Sequence, residues 1–272
     1  MKWFLQIFKF YIKASIHVAL AVVSFVYITA IYLNIPLDIN LALFLLLGTI
    51  PSYNFIKYGV EAKKYFFVSN SYQKRIQIFS FIAFLASGYF AFFLPVEVWI
   101  GLLLLAVFIA LYSLPLFPST KNLRSLGILK IIIVGLVWTG TTAILPILQA
   151  DLIFSWDVYI ECLQRFFVIL VLMIPFEIRD LETDHTALQT LPQRIGIKNT
   201  RIVGILMILF FFVLTFFKDS VMFMEFYTKA LVTLVLFLLM LITPKHQATY
   251  FSSFWVEGIP VFWAGLLWIL TV

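Results

Sequence analysis

The chain has 272 residues, of which 63% are hydrophobic and only 12% are charged. A soluble domain of this length is not so apolar, and the composition is typical of an integral membrane protein embedded in the lipid bilayer. The formal net charge of +6 does not indicate a nucleic-acid partner, and we expect none, because the basic residues follow a membrane topology.

Repeated apolar runs predict nine membrane-spanning helices, since about 20 apolar residues cross the hydrocarbon core. In chain order, the predicted spans are residues 14–33, 39–56, 76–94, 97–114, 126–148, 157–178, 200–217, 224–242 and 252–271. The lysines before the first run resemble the start of a signal peptide, but the run is long enough to span and is interpreted as a retained helix. No linker rich in proline and glycine divides the chain, so residues 1–272 are predicted to form a single all-α domain.

The distribution of charge between the predicted loops orients the bundle. The loops on the side of the amino terminus carry nearly all of the basic residues, whereas Lys218 is the only basic residue of the opposite loops. An excess of Lys and Arg marks cytoplasmic loops. We therefore expect a multi-pass protein of a bacterial inner membrane, with its amino terminus and the segment near residue 180 in the cytoplasm.

Several polar residues lie inside the predicted spans. His17 is expected to form a hydrogen bond between helices, and Glu161 and Arg165, four residues apart, are expected to pair. Lys229 is predicted to reach the membrane interface with its long side chain. Glu257 has no partner nearby in sequence and is a candidate buried acid without an assigned role.

The segment that follows the sixth predicted span, PFEIRDLETDHTALQTLPQRIGIKNTR, contains the strongest chemical signal. Glu177, Asp180 and Asp184 are spaced by three and four residues, so on a helix they share one face. Mg²⁺ is held by one or two carboxylates, with phosphate oxygens and water in its other positions. Asp180 and Asp184 are therefore the predicted Mg²⁺ ligands and catalytic residues, and Arg194 is a candidate phosphate contact.

The spacing alone leaves a second interpretation open. Two aspartates four residues apart occur often by chance, and the acids could instead pair with Arg179 and Arg194 in a solvated loop. A metal site at this place, where an apolar bundle opens to the cytoplasm, suits an amphiphile with a charged diphosphate head and an apolar tail.

The same segment resembles a signature of the UbiA superfamily of intramembrane prenyltransferases, in which D-x-x-x-D is followed by T-L-P-x-R-x-G. The matching residues are Asp180, Asp184, Thr190, Leu191, Pro192, Arg194 and Gly196. A second segment, LYSLPLFPSTKNLRSLGILK, is similar to the family's Y-S/T-x-P segment with its basic loop. Its corresponding residues are Tyr112, Ser113, Pro115, Lys121, Arg124 and Lys130.

This resemblance implies a bundle of about nine transmembrane helices around a central cavity, with Mg²⁺ holding the diphosphate of an isoprenoid at cytoplasmic loops. The implied activity is transfer of the isoprenoid from a prenyl diphosphate to an aromatic or other lipophilic acceptor. The substrate-binding candidates are Asn54, Lys57, Tyr112, Lys121, Arg124, Lys130 and Arg194.

The chain departs from the family at the first signature, N-x-x-x-D-x-x-x-D, which belongs after the second helix. That place reads NFIKYGVEA, in which Asn54 remains but Tyr58 and Ala62 replace the two aspartates. Glu61 is one residue from the second position, about 100° away on an ideal helix, whereas Lys57 can bind diphosphate as a point charge. The alternatives are a catalytically degenerate relative that still binds an isoprenoid lipid, or a small transporter whose acids carry ions.

Overall fold

A computed structural model describes residues 2–60, 70–113, 127–184 and 188–271 of the chain. These residues are helical or form short connections, and they contain no strand. The prediction of an all-α protein is confirmed for these ranges. Two residues of the predicted site, Lys121 and Arg124, lie outside the described residues, as does Glu61, and for Tyr112 only the backbone is described.

The described residues form α-helices joined by short turns. In chain order they are α1 (Lys2–Lys13), α2 (Ile16–Tyr32), α3 (Ile39–Asn54), α4 (Ser71–Ala91), α5 (Val96–Ser113), α6 (Ile128–Thr139), α7 (Leu145–Gln149), α8 (Trp156–Arg179), α9 (Leu191–Val213), α10 (Phe223–Ile242) and α11 (Ile259–Thr271). Three π-helical segments extend α3, join α6 to α7 and precede α11: Phe55–Val60, Gly140–Ile144 and Phe251–Val256. Two 3₁₀ segments, Asp180–Glu182 and Leu214–Phe217, follow α8 and α9.

Each predicted span overlaps one of these helices. Within the described ranges, six helical stretches are long and apolar enough to cross a membrane, and the pair α1 and α2 makes a seventh if it counts as one bent span. Helix α4 begins with polar residues that include Lys74 and Arg75. The number of nine crossings therefore stays a prediction. The basic segment before the first predicted span is itself helical and forms α1. It meets α2 at an angle of 58°.

Neighbouring helices close into a ring, with α8 as its most enclosed member. Helix α2 packs against α3 and α11, α8 packs against α6 and α9, and α10 packs between α9 and α11. Of the 18 most apolar consecutive residues in Trp156–Glu182, which contains α8, 67% are buried. The value for Leu191–Phe217, which contains α9, is 33%. The α8 side chains Val171, Ile174 and Ile178 belong to the main hydrophobic core together with Phe25 and Trp263. This packing fixes the position of the residues that follow the end of α8.

A buried ionic cluster occupies the end of α8 opposite to the acidic segment. Lys229 Nζ lies 2.9 Å from Glu161 Oε2 and 2.6 Å from Glu225 Oε1, and it also donates a hydrogen bond to Gln164 Oε1. Lys218 Nζ lies 2.6 Å from the same oxygen of Glu225. Buried ions require such partners, because transferring an ion from water into the protein interior costs on the order of several kcal/mol.

The structure tests three expectations about polar residues inside the spans. The pairing of Glu161 with Arg165 is confirmed, with a distance of 3.6 Å between the charged atoms. The prediction that Lys229 reaches the interface is wrong, because its side chain is fully buried against two glutamates. The hydrogen bonding of His17 between helices is confirmed by its Nε2, which lies 2.9 Å from the carbonyl oxygen of Phe254.

Candidate functional site

The acidic segment begins where α8 ends. Helix α8 stops at Arg179, and the next residues form a 3₁₀ turn in which the Asp184 N–H donates to the Asp180 carbonyl oxygen at 2.8 Å. The expectation that Glu177, Asp180 and Asp184 share one helical face is therefore wrong, because the α-helix does not continue to Asp184. Glu177 and Asp184 share one cationic partner, whereas Asp180 has another.

Lys130 lies between two of these carboxylates. Its Nζ is 2.8 Å from Glu177 Oε1 and 3.2 Å from Asp184 Oδ2. Glu177 is buried and Lys130 is largely buried, so this is a mostly desolvated contact between α6 and the end of α8. The sequence had pointed to Lys130 as a phosphate contact and to Asp184 as a metal ligand. It gave no signal that Glu177 and Lys130, 47 positions apart in the printed sequence, would meet.

Asp180 has a separate partner, the preceding residue. Arg179 donates from Nε to Asp180 Oδ1 at 2.7 Å and from a terminal nitrogen to Oδ2 at 3.0 Å, and both side chains are partly exposed. Arg194 does not join them, since its guanidinium bonds to the backbone and side chain of Gln189. The interpretation of a solvated acid paired with a neighbouring arginine thus describes Asp180 as it stands in this structure.

A close backbone contact holds α6 against the segment that follows the acidic turn. Gly127, just before α6, has a φ of +56°, and a Cβ at this position would lie 2.4 Å from Leu188 O and 2.5 Å from Gln189 O. Only glycine fits such a conformation and approach without strain. Lys130 lies in the first turn of α6, three residues after this contact, and its side chain reaches Glu177 and Asp184.

The residues after the turn form the start of α9. Gln193 accepts a hydrogen bond from the Thr190 N–H at 3.0 Å and donates to the Asp184 carbonyl oxygen at 3.2 Å. Gly196 has a φ of +77°, which interrupts the helical path of α9 after its first turn. Within the predicted signature, Gln193 therefore ties the start of α9 to the backbone of Asp184.

An apolar cavity of about 260 Å³ begins one turn before the acidic segment; we call it the inner cavity. Helix α8 contributes Leu172, Met173 and Phe176 to its wall. The ring of Phe176 also lies under the Arg179 guanidinium, 5.0 Å from centroid to carbon. The remaining lining residues are Ala21, Ser52, Tyr53, Ile56, Ile109, Ile133, Val134, Val137, Trp138, Ile169, Val256, Glu257 and Pro260. The cavity therefore lies inside the helix ring, next to the acidic turn.

A second apolar cavity, of about 420 Å³, adjoins the first; we call it the lateral cavity. Its wall includes Trp99 and Leu103, whose side chains are exposed on the outside of the bundle. Tyr53 and Trp138 line both cavities, and Trp138 Nε1 donates a hydrogen bond to the Tyr53 hydroxyl at 2.7 Å. The two rings therefore lie where the cavities meet, together with Ser52, Ile109 and Val137, which also line both.

Glu257 brings a carboxyl group to the inner cavity, and Lys57 lies near enough to interact with it. Glu257 lines the cavity directly, and Lys57 follows the lining residue Ile56 in the π-helical extension of α3. The two side chains interact electrostatically with each other, and Glu257 also interacts with Arg179. The structure thus brings the predicted Lys57 to the same region as the acidic turn.

Asn54 is committed to contacts within the bundle. Its carbonyl oxygen accepts from Ser15 Oγ at 2.8 Å, and its amide donates to Ala14 O at 3.1 Å and to Ser80 Oγ at 2.8 Å. These bonds tie the end of α3 to the start of α2 and to α4. Its predicted contact with substrate stays a prediction.

The residues at the end of α8 fit a divalent cation whose coordination a ligand completes. Oε2 of Glu177 is buried and has no hydrogen-bond partner, and Asp184 Oδ2 faces the same ammonium group as Glu177. Carboxylate oxygens of this kind suit Mg²⁺ when phosphate oxygens fill its other positions. In the described part of the chain, no three His, Cys, Asp or Glu side chains form a group that could hold a metal. Within the described residues, Glu177 and Asp184 would each supply carboxylate oxygens, and phosphate oxygens and water would fill the other positions of the ion.

Solved structures of UbiA homologues have the same fold. The apo structure of a homologue from Aeropyrum pernix K1 is 14% identical in sequence, covers 93% of this chain and 98% of its own, and has a TM-score of 0.61. A homologue from Archaeoglobus fulgidus, bound to DMAPP and Mg²⁺, is 11% identical over 94% of this chain and 96% of its own, with a TM-score of 0.59. A structure of digeranylgeranylglyceryl phosphate synthase is 14% identical over 94% and 96%, with a TM-score of 0.56. No protein-family model and no curated protein sequence matches the chain.

Proposed function

We propose that this protein is a multi-pass membrane prenyltransferase, which transfers an isoprenoid group from a prenyl diphosphate to an aromatic or other lipophilic acceptor with the help of Mg²⁺. The observation that carries this proposal is the position of the acidic turn, at the end of the helix that lines the apolar inner cavity. A diphosphate head would lie at the turn and its apolar chain in the cavity. The UbiA-type fold supports this arrangement, since the Archaeoglobus fulgidus homologue was solved with DMAPP and Mg²⁺.

In the proposed site, Asp180 and Asp184 hold Mg²⁺, with Glu177 beside them. Bound Mg²⁺ offsets the negative charge that develops on a leaving diphosphate. Lys130, which already lies between Glu177 and Asp184, adds a positive charge that phosphate oxygens can share. We assign further contacts with the diphosphate or its chain to Asn54, Lys57, Tyr112, Lys121, Arg124 and Arg194.

A catalytically degenerate relative that binds an isoprenoid lipid is the second candidate. The observation that favours it is the replacement of the first aspartate signature, where Tyr58 and Ala62 stand in place of two carboxylates. With fewer carboxylates, the site would hold a diphosphate through cations such as Lys57 rather than through a second metal. Binding without cleavage of a prenyl diphosphate distinguishes this candidate from an active enzyme.

Asp180→Asn and Asp184→Asn test the metal role. We expect each variant of the purified protein to lose Mg²⁺-dependent binding of geranyl diphosphate, because an amide is a far weaker ligand for a hard cation than a carboxylate. The measurement is a calorimetric titration with and without Mg²⁺, followed by an assay of diphosphate release. Glu182→Gln is the matched control, since Glu182 lies in the same turn but pairs with Lys245 at the surface. Unchanged binding in both aspartate variants would refute the metal role.

A further inference from the structure

Glu257 is the only carboxylate among the described residues that line the inner cavity. It lies between the π-helical segment Phe251–Val256 and α11, and its N–H donates to the Ser252 carbonyl oxygen at 3.2 Å. Irregular backbone at membrane depth is tolerated where it lines a cavity, and π-helical turns are frequent at functional sites. The interruption of the helix therefore places an acid in the apolar wall of this cavity.

The carboxylate of Glu257 has no hydrogen bond or ion pair with another side chain in the described ranges of the chain. The cations that act on it electrostatically are Lys57 and Arg179. Arg179 is already bound to Asp180 through two hydrogen bonds. A carboxyl group in an apolar wall is costly unless its hydrogen bonds are made. The unfilled hydrogen-bonding capacity of Glu257 therefore points to a ligand with a donor group.

We infer that Glu257 binds the hydroxyl group of the acceptor and takes its proton during transfer. This inference rests on the proposed function. Phe176, on the last turn before Asp180, and Glu257 line one cavity, so a reacting carbon held there can lie between the diphosphate and the carboxylate. General bases of this kind contribute about 10²–10⁴-fold to rates.

The proposed step is a substitution at C1 of the prenyl group. The bond between C1 and the diphosphate oxygen breaks, and its electron pair leaves with the diphosphate. The acceptor oxygen forms the new bond to C1, and its proton passes to the Glu257 carboxylate. The acceptor is accordingly a lipophilic compound with a free hydroxyl group, and the product is its prenyl ether.

Binding of 4-hexylphenol and of its methyl ether tests the recognition step without any turnover. In lipid nanodiscs, we expect the wild-type protein to bind the phenol about tenfold more tightly than the ether, as for a hydrogen bond to a charged group. Glu257→Leu should remove this preference, while Ser52→Ala, at another polar residue of the same wall, should keep it. A wild-type protein without the preference, or Glu257→Leu with the preference intact, would overturn the inference.

Transfer to the phenol tests the proton step. With geranyl diphosphate and Mg²⁺, we expect Glu257→Gln to lower ether formation about 100-fold, whereas its affinity for geranyl diphosphate stays within about twofold of the wild type. If Glu257 served only as a counter-ion for Lys57 and Arg179, Glu257→Gln would instead change the affinity for geranyl diphosphate. It would leave the rate of ether formation at saturating substrate unaltered. If the wild-type protein showed no Mg²⁺-dependent binding of geranyl diphosphate, the proposed function would fail. That result is independent of the phenol-binding measurement, which tests Glu257.

Discussion

Lys229 shows how strongly a single buried charge depends on its partners. Its ammonium contacts Glu161, Glu225 and Gln164, and the ammonium of Lys218 contacts the same oxygen of Glu225. One oxygen of Glu225, Oε2, is buried without a hydrogen-bond partner. The cluster therefore has little capacity to adapt if one of its cations is lost.

Lys229→Met should destabilise the protein by about 3–5 kcal/mol, because it leaves two buried glutamates with one fewer cation. The measurement is thermal unfolding of the purified protein in detergent, followed by tryptophan fluorescence. Lys245→Met is the control, since Lys245 forms an exposed pair with Glu182, and surface pairs contribute little. A melting temperature of Lys229→Met equal to that of the control would contradict the role of the cluster.

At single residues, the sequence was informative where local spacing carries the chemistry. Asp180 and Asp184 stand out through their motif, and Glu257 stands out as an acid within an apolar run. The partners of these residues were not predictable, because Lys130 meets Glu177 and Asp184 across distant parts of the chain. From the sequence, a charged side chain within a span can lie either at the membrane surface or inside the bundle. The packing of α8 against its neighbours shows which of the two applies.

Between elements, we expect the contact of Gly127 with the backbone before α9 to position the site. A side chain at Gly127 would collide with two carbonyl oxygens that cannot move independently of the chain. The contact also keeps Lys130 at the height of the acidic turn. A small change here is therefore expected to act on binding more than on the helices themselves.

Gly127→Ala should weaken Mg²⁺-dependent binding of geranyl diphosphate about tenfold or more, because both its φ of +56° and the approach of 2.4 Å to Leu188 O exclude a Cβ. Calorimetric titration measures the affinity, and circular dichroism checks that the helix content is retained. Gly265→Ala is the matched control, because no atom lies within 4 Å of a Cβ at that position. Equal affinities of the two variants would show that the contact does not position the site.

Helices were predictable as elements, whereas their interruptions were not. Runs of apolar residues located α2, α3 and α10 to within a few residues, because lipid-facing and core-facing positions are both apolar. The π-helical turns have no such signature, since one extra residue per turn changes the direction of a helix without changing its composition. Two of the three, Phe55–Val60 and Phe251–Val256, contribute to the wall of the inner cavity.

At the scale of the whole molecule, charge asymmetry predicted an orientation that side-specific labelling tests. In a Cys162→Ser background, we expect Lys245→Cys to react with an impermeant maleimide from the cytoplasmic side and Ile153→Cys from the opposite side, following the positive-inside rule. Both positions are exposed. Right-side-out and inverted membrane vesicles provide the two measurements. Labelling of both cysteines from one side would contradict the topology.

The packing of the helices into a bundle was predictable, but the closure of the bundle into a ring was not. Apolar spans and short loops require neighbouring helices to pack, yet nothing in the spacing of residues states that α11 returns to α2. The closure of the ring creates the central space that the acidic turn adjoins. The predicted central cavity came from family resemblance, and the structure gives it dimensions and a lining.

The hydrogen bond between Trp138 and Tyr53 lies where the two cavities of about 260 and 420 Å³ meet. A compact guest fits wholly on one side of the two rings, whereas an elongated guest must part them and lose their hydrogen bond. The cost of breaking this hydrogen bond is met only when the ligand becomes long enough to pass between the two rings. We therefore expect ligand affinity to fall sharply at the length that no longer fits on one side of the two rings, rather than gradually with each added carbon.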